Sequence, residues 1–154
     1  MKKKLYLAAP LFCDSEIQFN IYLESLLSSS FDVFLPQRDN GLVFEEIENG
    51  GDVNSSLRSV FNGDIEAIKK CDILLILLDG RSIDEGACFE LGYAFSLGKQ
   101  CIGLRTDSRQ LMKHGNNPMI TQALSSCFSS IPELQEWVSD LTTGKILSSL
   151  IFIL

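Results

Sequence analysis

The sequence predicts an α/β fold built around a parallel β-sheet, and three observations support this prediction. Short apolar runs alternate along the chain with stretches of helical periodicity. One run, CDILLILLDG at residues 71–80, is apolar almost throughout, as is typical of a central parallel strand covered on both faces. The length of 154 residues suits a single domain, which we expect to span residues 1–154. These features favour a doubly wound, five-stranded sheet in the flavodoxin-like order 2-1-3-4-5.

The N-terminal part of the chain predicts two strands with a helix between them. Two apolar runs end at a proline and predict the strands: KLYLAAP at 4–10 and FDVFLP at 31–36. Between them, Asp14 or Ser15 can cap a helix through EIQFNIYLESLLSS. The next segment, QRDNGLVFEEIENGGDVNSS at 37–56, is rich in turn formers and acids and predicts a loop. Because loops of this length in compact domains are often functional, we expect it to act as a lid.

The rest of the chain alternates helices with strands. Four segments predict helices, the last with Pro132 in its first turn: LRSVFNGDIEAIKK at 57–70, DEGACFELGYAF at 84–95, NPMITQAL at 117–124 and PELQEWVSDLTT at 132–143. Three segments predict strands: CDILLILLDG, QCIGLRT at 100–106 and SSCFSSI at 125–131. In such sheets ligands bind beyond the carboxyl ends of the strands, near the switch between strands 1 and 3. The rule selects the ends of LYLAAP and LLILLDG, and the acidic stretch from Asp84 follows the second of them.

Charge and cysteine content exclude several classes of partner. A net charge of −7 argues against a nucleic-acid polymer, since binding such polymers relies on Lys and Arg. The five cysteines are scattered without CxxC spacing, so we expect free thiols, buried at Cys71, Cys88 and Cys101, in a reducing, cytoplasmic setting. Zinc has little support because His114 is the one histidine. We therefore expect no metal and no cofactor.

Neither end of the chain resembles a targeting segment. The start, MKKKLYLAAPLFC, has a short apolar run and no A-x-A cleavage site, so a first strand is the better interpretation. The end, ILSSLIFIL at 146–154, is shorter than the about 20 apolar residues that span a bilayer. We expect no membrane association and interpret this tail as a segment covered by another subunit.

Two acidic residues fall on helix faces that the pattern predicts to be buried. On the helix at 84–95 one face carries Glu90 among small and apolar residues: Gly86, Tyr93, Ala94 and Leu97. On the helix at 57–70 one face carries Asp64 within an apolar stripe: Leu57, Val60, Phe61, Ile65 and Ile68. Unpaired buried carboxylates are costly, so carboxylates kept in such places are candidates for catalysis.

Other interpretations of each acid remain open at this point. A lone acid on an apolar face can be a hydrogen-bonded buried residue or can lie at a wet rim. Asp84 taken alone fits a helix N-cap, and Gly86 fits a tight turn or close helix–sheet packing. Two or three acids in a cleft suit displacement at an anomeric carbon, with one carboxylate attacking and another supplying a proton. The rival, metal-bound phosphate chemistry, lacks a GxxxxGK or GxGxxG cradle in this sequence.

Three segments of the chain resemble the nucleoside 2-deoxyribosyltransferase family: LYLAAPLF, NGDIEAIKKCDILLILLDG and DEGACFELGYAFSLGK. The resemblance extends from residue 4 to about residue 120. Its core is acid–x–Gly–x–x–x–Glu–Leu–Gly–Tyr–Ala followed by Gly-Lys, combined with an Asp on the preceding helix. The resemblance implies transfer of 2-deoxyribose between nucleobases, with retention, in nucleoside salvage. It also implies a homo-oligomer, a dimer or a trimer of dimers, that shares its active sites between subunits.

The resemblance also implies roles for individual residues. Glu90 matches the nucleophile that holds the 2-deoxyribosyl group as an ester, and Asp64 matches the acid that handles the proton of the base. Asp84 matches the acid that holds the sugar hydroxyls, and Tyr6 matches the tyrosine that orients the nucleophile. All four are expected catalytic residues.

Further positions are expected to bind substrate. Phe12 lies where the family packs an aromatic residue against the base, and Gln37 follows strand 2 in a loop that contributes to base recognition. Gly86 stands within the core motif. Asn117 or Ser126 is expected to reach the sugar site of a neighbouring subunit, and both alternatives stay open.

A hydrolase of deoxynucleosides or of their 5′-monophosphates is the alternative function. Such relatives resemble this chain around the glutamate but carry a Ser- and Gly-rich phosphate loop after strand 1. The corresponding segment here, APLFCDSE at 9–16, is apolar and then acidic, which disfavours a 5′-phosphate. We therefore expect free deoxynucleosides and nucleobases as substrates. A nucleoside-binding module without turnover is a third possibility.

Overall fold

The computed structural model describes residues 1–40, 50, 52–108 and 117–144. The strands are β1 (Lys3–Ala8), β2 (Phe31–Phe34), β3 (Ile73–Leu77), β4 (Gln100–Leu104) and β5 (Ser126–Phe128). The helices are α1 (Asp14–Leu27), α2 (Pro36–Asp39), α3 (Val53–Lys70), α4 (Glu85–Ser96), α5 (Pro118–Thr121) and α6 (Ile131–Thr142). Residues 41–49 and 51 of the predicted lid, His114 and the apolar tail at 146–154 lie outside the described residues.

The five strands form one sheet in the order β2-β1-β3-β4-β5, and every neighbouring pair is parallel. Helices cover both faces, so the predicted flavodoxin-like arrangement is confirmed. β3 lies at the centre, and all five of its residues are buried, as the apolar run predicted. The order reverses between β1 and β3, which places their carboxyl ends beside the expected ligand crevice.

Alternation along β1 assigns its side chains to the two cores. Leu5 and Leu7 join the core beneath α1 and α6, whereas Tyr6 and Ala8 join the core beneath α3 and α4. Tyr6 pairs in register with Leu74 of β3 and is fully buried. The sheet therefore presents the Tyr6 side chain to the two helices that carry Asp64 and Glu90.

The start of α1 differs from the prediction that Asp14 or Ser15 is the cap. Cys13 is the N-cap, because Glu16 at the third helical position accepts a hydrogen bond from the Cys13 backbone N–H at 3.2 Å. The Glu16 carboxylate also accepts from Phe12 N–H at 2.9 Å. Reciprocal capping by Glu16 thus fixes the helix start one residue early.

The predicted loop at 37–56 is partly helical. Pro36 opens α2, and Asp39 accepts a hydrogen bond from Leu35 N–H at 2.9 Å. The helix predicted from Leu57 begins at Val53 instead, because the Asp52 carboxylate accepts from Ser55 N–H at 2.8 Å. A side-chain hydrogen bond stabilises the start of each helix, and hydrophobic periodicity alone does not predict such bonds.

The described residues include all five cysteines. All five cysteines are free; Cys71 and Cys101 are buried, Cys88 is half-buried, and Cys13 and Cys127 are exposed. The burial predicted for Cys88 is wrong because it lies at the rim of the α4 packing face, one residue after buried Ala87.

Within the ranges described, no helix has the length and apolar character to cross a membrane.

Candidate active site

The apolar stripe of α3 lies in the core only at its C-terminal end, contrary to the helical-wheel prediction. Leu57 is 51% exposed and Phe61 is 53% exposed, whereas Ile68 is fully buried. α3 packs on the sheet through its last turns, and the stripe above them faces a cavity. Asp64 can therefore stand in this stripe because it borders a cavity and not a packed core.

The inward face of α4 is also displaced from its predicted position. Ala87, Leu91 and Ala94 are the buried residues of this helix. Leu97, predicted on the inward face, is 43% exposed. Glu90 lies beside the buried face and is half-buried, at the boundary between the sheet core and the cavity.

A cavity of about 260 Å³ separates α3 from α4. Asp64 and Glu90 are the carboxylates among its described lining residues, and Gly86 forms part of the rim. The remaining wall is apolar: Leu57, Val60, Phe61, Ile65, Ile68 and Phe89. The cavity thus combines two acids with a wall suited to a planar, largely apolar group.

Tyr6 connects the sheet to Glu90. Its hydroxyl donates a hydrogen bond of 2.6 Å to Glu90 Oε1, and its ring stacks on Phe34 with centroids 5.3 Å apart. Burial, followed by the charges of Glu90 and Asp64, raises the pKa of Tyr6 far above its ordinary value. Tyr6 is therefore a fixed hydrogen-bond donor and not a phenolate.

Burial raises the pKa of Glu90 from 4.5 to about 8. The hydrogen bond from Tyr6 lowers this pKa, and the charges of Asp64 and Asp84 raise it further. A carboxylate in this position is poorly solvated and held by a single protein donor among the described contacts. Such a group is more nucleophilic than a solvated carboxylate once it is ionised.

Asp64 is held by a second element. Asn40, which follows α2, donates from Nδ2 to Asp64 Oδ1 at 2.7 Å. Burial raises the pKa of Asp64, while the nearby Tyr6 hydroxyl and the hydrogen bond from Asn40 lower it. The Tyr6 hydroxyl, whose single proton is donated to Glu90, therefore lies near both acids.

Asp84 serves as the N-cap of α4. Its Oδ1 accepts from Ala87 N–H at 2.8 Å, which leaves Oδ2 outside the capping bond. Gly86 gives this cap room, since a Cβ at residue 86 would lie 3.1 Å from Asp84 Oδ1. The N-cap interpretation of Asp84 is thus correct, and its charge still acts on Glu90.

The other predicted substrate positions lie outside this cavity. Both polar atoms of the Gln37 amide form hydrogen bonds away from the cavity: Oε1 accepts from Asn20 at 2.9 Å, and Nε2 donates to the Ile17 carbonyl at 3.1 Å. Phe12 is 75% exposed beyond β1. Two further positions belong to the region around α5 and β5: Asn117, whose Oδ1 accepts from Met119 N–H at 2.9 Å, and Ser126.

Sequence reasoning missed Asn40 and the aromatic row at the cavity mouth. Asn40 lies in the segment predicted as a loop, and no feature of the sequence predicts its contact with Asp64. The aromatic row joins α3 to α4: the rings of Phe61 and Phe89 lie 6.1 Å apart, and those of Phe89 and Tyr93 lie 6.5 Å apart. The available signal was the spacing of Phe89 and Tyr93, which lie four residues apart on one helix.

Another cavity, of about 490 Å³, lies on the opposite face of the sheet beside α1. Asp79, one of the three acids in its described lining, accepts hydrogen bonds from Thr106 N–H at 2.6 Å and from Asp107 N–H at 2.8 Å. These bonds tie the ends of β3 and β4 together. Within the described ranges, no group of three or more His, Cys, Asp and Glu side chains is placed to hold a metal ion.

A comparison with known protein families shows which family this chain belongs to. The family model described as nucleoside 2-deoxyribosyltransferase matches residues 5–137, which run from within β1 to within α6. The chain belongs to the nucleoside 2-deoxyribosyltransferase family. The predicted family is therefore confirmed.

The individual proteins similar to this chain share about a third or less of its residues over the matched regions. A 2-deoxyribosyltransferase from Bacillus psychrosaccharolyticus has a similar structure, with a TM-score of 0.72, 27% identity, and coverage of 86% of this chain and 90% of that one. A CMP N-glycosidase from Clostridium botulinum is 18% identical with a TM-score of 0.54 over 89% and 99% of the two chains, and shares the fold alone. An uncharacterized protein of Ureaplasma parvum serovar 3 is 32% identical over 102 residues. That match covers 64% of this chain and 63% of the relative, so the chain spans less than two thirds of it.

Proposed function

We propose that this protein transfers 2-deoxyribose between nucleobases through a covalent ester on Glu90. The observation that carries the proposal is the group formed by Glu90, Tyr6 and Asp64 at one cavity. Membership in the deoxyribosyltransferase family supplies the substrate class. The chemistry needs one carboxylate to attack and one to manage a proton, and the cavity holds one of each.

In the first half-reaction a Glu90 carboxylate oxygen attacks C1′ of the deoxynucleoside. The C1′–N bond breaks, its electron pair goes to the base nitrogen, and Asp64 delivers the proton that neutralises the departing base. In the second half-reaction a nitrogen of the incoming base attacks C1′ and the ester C–O bond breaks. The proton lost by the incoming base returns to Asp64, and two inversions give overall retention.

Tyr6 and Asp84 assist the two half-reactions that take place on Glu90. The Tyr6 hydroxyl donates to Glu90 and orients the attacking carboxylate. Asp84 caps the helix that carries Glu90, and its second oxygen is available to bind sugar hydroxyls. On the family pattern Phe12, Gln37 and Gly86 are proposed substrate-binding residues, but Gly86 alone of the three lines the cavity, and Gln37 would have to exchange its bonds to Asn20 and Ile17 to reach a base.

The geometry disfavours the 5′-monophosphate substrates of the hydrolase alternative. The described lining of the cavity includes two carboxylates and contains no lysine or arginine. A 5′-phosphate would bring negative charge toward Glu90 and Asp64 without a compensating cation from that lining. The segment after β1 carries Asp14 and Glu16, which oppose a phosphate in the same way. Free deoxynucleosides are therefore the favoured donors.

A base-exchange assay tests the proposal directly. The purified protein is incubated with a deoxynucleoside, with and without a second nucleobase, and products are separated by chromatography. We expect a new deoxynucleoside to form only with the acceptor, and little free deoxyribose. Free deoxyribose produced at the same rate with or without the acceptor would establish hydrolysis instead.

We further propose a homo-oligomer with shared active sites, working in cytoplasmic nucleoside salvage. The exposed apolar side chains around the cavity support an additional covering surface: Leu57, Phe61 and Phe89 are each more than half exposed. Either Asn117 or Ser126 from a neighbouring subunit would then reach the sugar. The five free thiols are consistent with a reducing compartment.

A further inference from the structure

Gly63 occupies an unexpected position in the middle of α3, directly before Asp64. A Cβ at residue 63 would lie 2.8 Å from Asn40 Oδ1, 3.2 Å from Nδ2 and 3.3 Å from Cγ. The three nearest atoms all belong to Asn40, and the shortest distance is closer than real side chains approach. Glycine at this position therefore leaves the space that the Asn40 side chain occupies.

This glycine is unfavourable for the helix itself. Glycine in a helix interior lowers helix stability relative to alanine, because it gives up more backbone freedom on folding. Gly63 has an ordinary helical conformation, since it is absent from the described residues with positive φ. Backbone strain thus gives no reason for glycine here, whereas the contact with Asn40 does.

Asn40 uses that space to reach Asp64. It follows the last residue of α2, and its Nδ2 donates to Asp64 Oδ1 at 2.7 Å. We propose that Asn40 is a positioning residue for Asp64 and that Gly63 is the gap through which it acts. This inference rests on the proposed function, in which Asp64 exchanges a proton with the base.

The hydrogen bond has a definite consequence for the proton on Asp64. With Oδ1 accepting from Asn40, the exchangeable proton is placed on Oδ2, so one oxygen of the acid is reserved for chemistry. The bond also favours the ionised form, which opposes the effect of burial on the pKa of Asp64. Asn40 therefore controls both which oxygen carries the proton and how readily it leaves.

A purely structural role for the contact predicts a different result. If Asn40 only joined α2 to α3, its loss would lower stability and leave the kcat of the folded protein unchanged. Gly63→Ala separates the two interpretations, because it displaces the Asn40 side chain while improving helix propensity. Its melting temperature is thus expected to fall less than that of Asn40→Ala, whereas its kcat is expected to fall equally.

The test compares Asn40→Ala, Gly63→Ala, their double variant and a control, Gly92→Ala. Gly92 also lies within a helix, α4, but a Cβ there meets nothing within 4 Å. The Asp64 side-chain carboxyl is titrated by ¹³C NMR with labelled aspartate, and its signal is assigned by its absence in Asp64→Asn. Melting temperature and the kcat for base exchange are measured on the same samples.

We expect a higher Asp64 pKa in Asn40→Ala and in Gly63→Ala than in the wild type and in Gly92→Ala. We expect kcat to fall by about 10- to 100-fold in both impaired variants, the range for losing a hydrogen bond to a charged group. The double variant is expected to be no worse than Asn40→Ala, because both changes remove one contact.

An Asp64 pKa that is the same in Asn40→Ala, Gly63→Ala and the wild type would overturn the inference. The NMR titration needs no turnover, so it decides the point even for a protein without base exchange. A wild-type protein that exchanges no bases would instead contradict the proposed function. The two failures are therefore distinguishable.

Discussion

The Tyr6 hydroxyl on β1 lies 2.6 Å from Glu90 Oε1 on α4, across 84 positions of sequence. Asp64 on α3 is near enough to the same hydroxyl for its charge to raise the pKa of Tyr6, so one buried tyrosine lies near the acids of both helices. The sheet is rigid at this point because Tyr6 is fully buried and paired with Leu74. The sheet therefore fixes the position of the hydroxyl that holds Glu90.

Removing the Glu90 carboxylate is expected to abolish base exchange. Glu90→Ala removes the group that attacks C1′, so we expect no new deoxynucleoside and no covalent deoxyribosyl-protein by mass spectrometry. Glu85→Gln, on the exposed first turn of the same helix, is the matched control and is expected to exchange bases normally. A folded Glu90→Ala protein with near-wild-type exchange between deoxyinosine and adenine would rule out the mechanism.

The raised pKa of Glu90 also predicts how stability depends on pH. The folded pKa of about 8 lies above the ordinary value of 4.5, so the folded protein holds a proton that the unfolded chain releases. The stabilisation is complete below pH 4.5 and is lost as pH rises to about 8. We expect the urea-unfolding free energy of the wild type to fall by up to a few kcal/mol across this range.

Glu90→Gln provides the control for this stability prediction. The amide keeps the shape of the protonated acid but cannot ionise, so its unfolding free energy is expected to change less between pH 5 and pH 8. Equal pH dependence in the two proteins would show that Glu90 titrates in the folded state as it does in the unfolded chain.

Tyr6→Phe is expected to shift the pH profile of activity. The Tyr6 hydrogen bond lowers the pKa of Glu90, so its loss raises that pKa and moves the acidic limb of kcat/KM to higher pH. We expect a reduced maximum as well, because the carboxylate loses the donor that orients it. Phe34→Leu is a suitable control, since it alters the ring that stacks on Tyr6 and keeps the hydroxyl. An unshifted acidic limb in Tyr6→Phe would contradict the role given to the hydroxyl.

Asp64→Asn is expected to separate attack from base departure. The amide can still accept a hydrogen bond from Asn40, but it cannot deliver a proton to the base. Exchange from ordinary deoxynucleosides is therefore expected to fall by about 100-fold or more, within the usual range for general acid catalysis. A donor whose leaving group needs no proton is expected to lose far less. Equal losses with both donors would contradict the acid role of Asp64.

The sequence predicted the sheet well because its signals are local. The apolar run at 71–80 identified β3, and the alternation of patterns predicted the strand order that the structure confirms. Both acids were found as interruptions of apolar faces, although the faces themselves were misjudged. A helical wheel records the direction of Leu57 and Phe61 but not whether another element covers them, and here a cavity lies in front of them.

The rest of the site depends on contacts between segments far apart in sequence. The hydrogen bond from Asn40 to Asp64 spans 24 positions and depends on α2, which the turn-rich composition of its segment concealed. Gln37 was selected from the same segment, three residues before Asn40. Its side chain instead joins α2 to α1 through Asn20 and Ile17. Composition located the segment, whereas tertiary packing decided which of its residues reaches the cavity.

Subunit complementation tests the proposed sharing of active sites. If a neighbouring subunit completes the sugar site through Asn117, then Asn117→Ala is inactive alone and has its own Glu90 intact. Mixing it with Glu90→Ala, after denaturation and refolding together, creates mixed dimers with one complete site. We expect about one quarter of the wild-type activity from an equal mixture, since half of the dimers are mixed and each has one working site. The same experiment with Ser126→Ala identifies which of the two residues crosses between subunits. Complementation by neither variant, with both inactive alone, would place these residues in their own subunit's site.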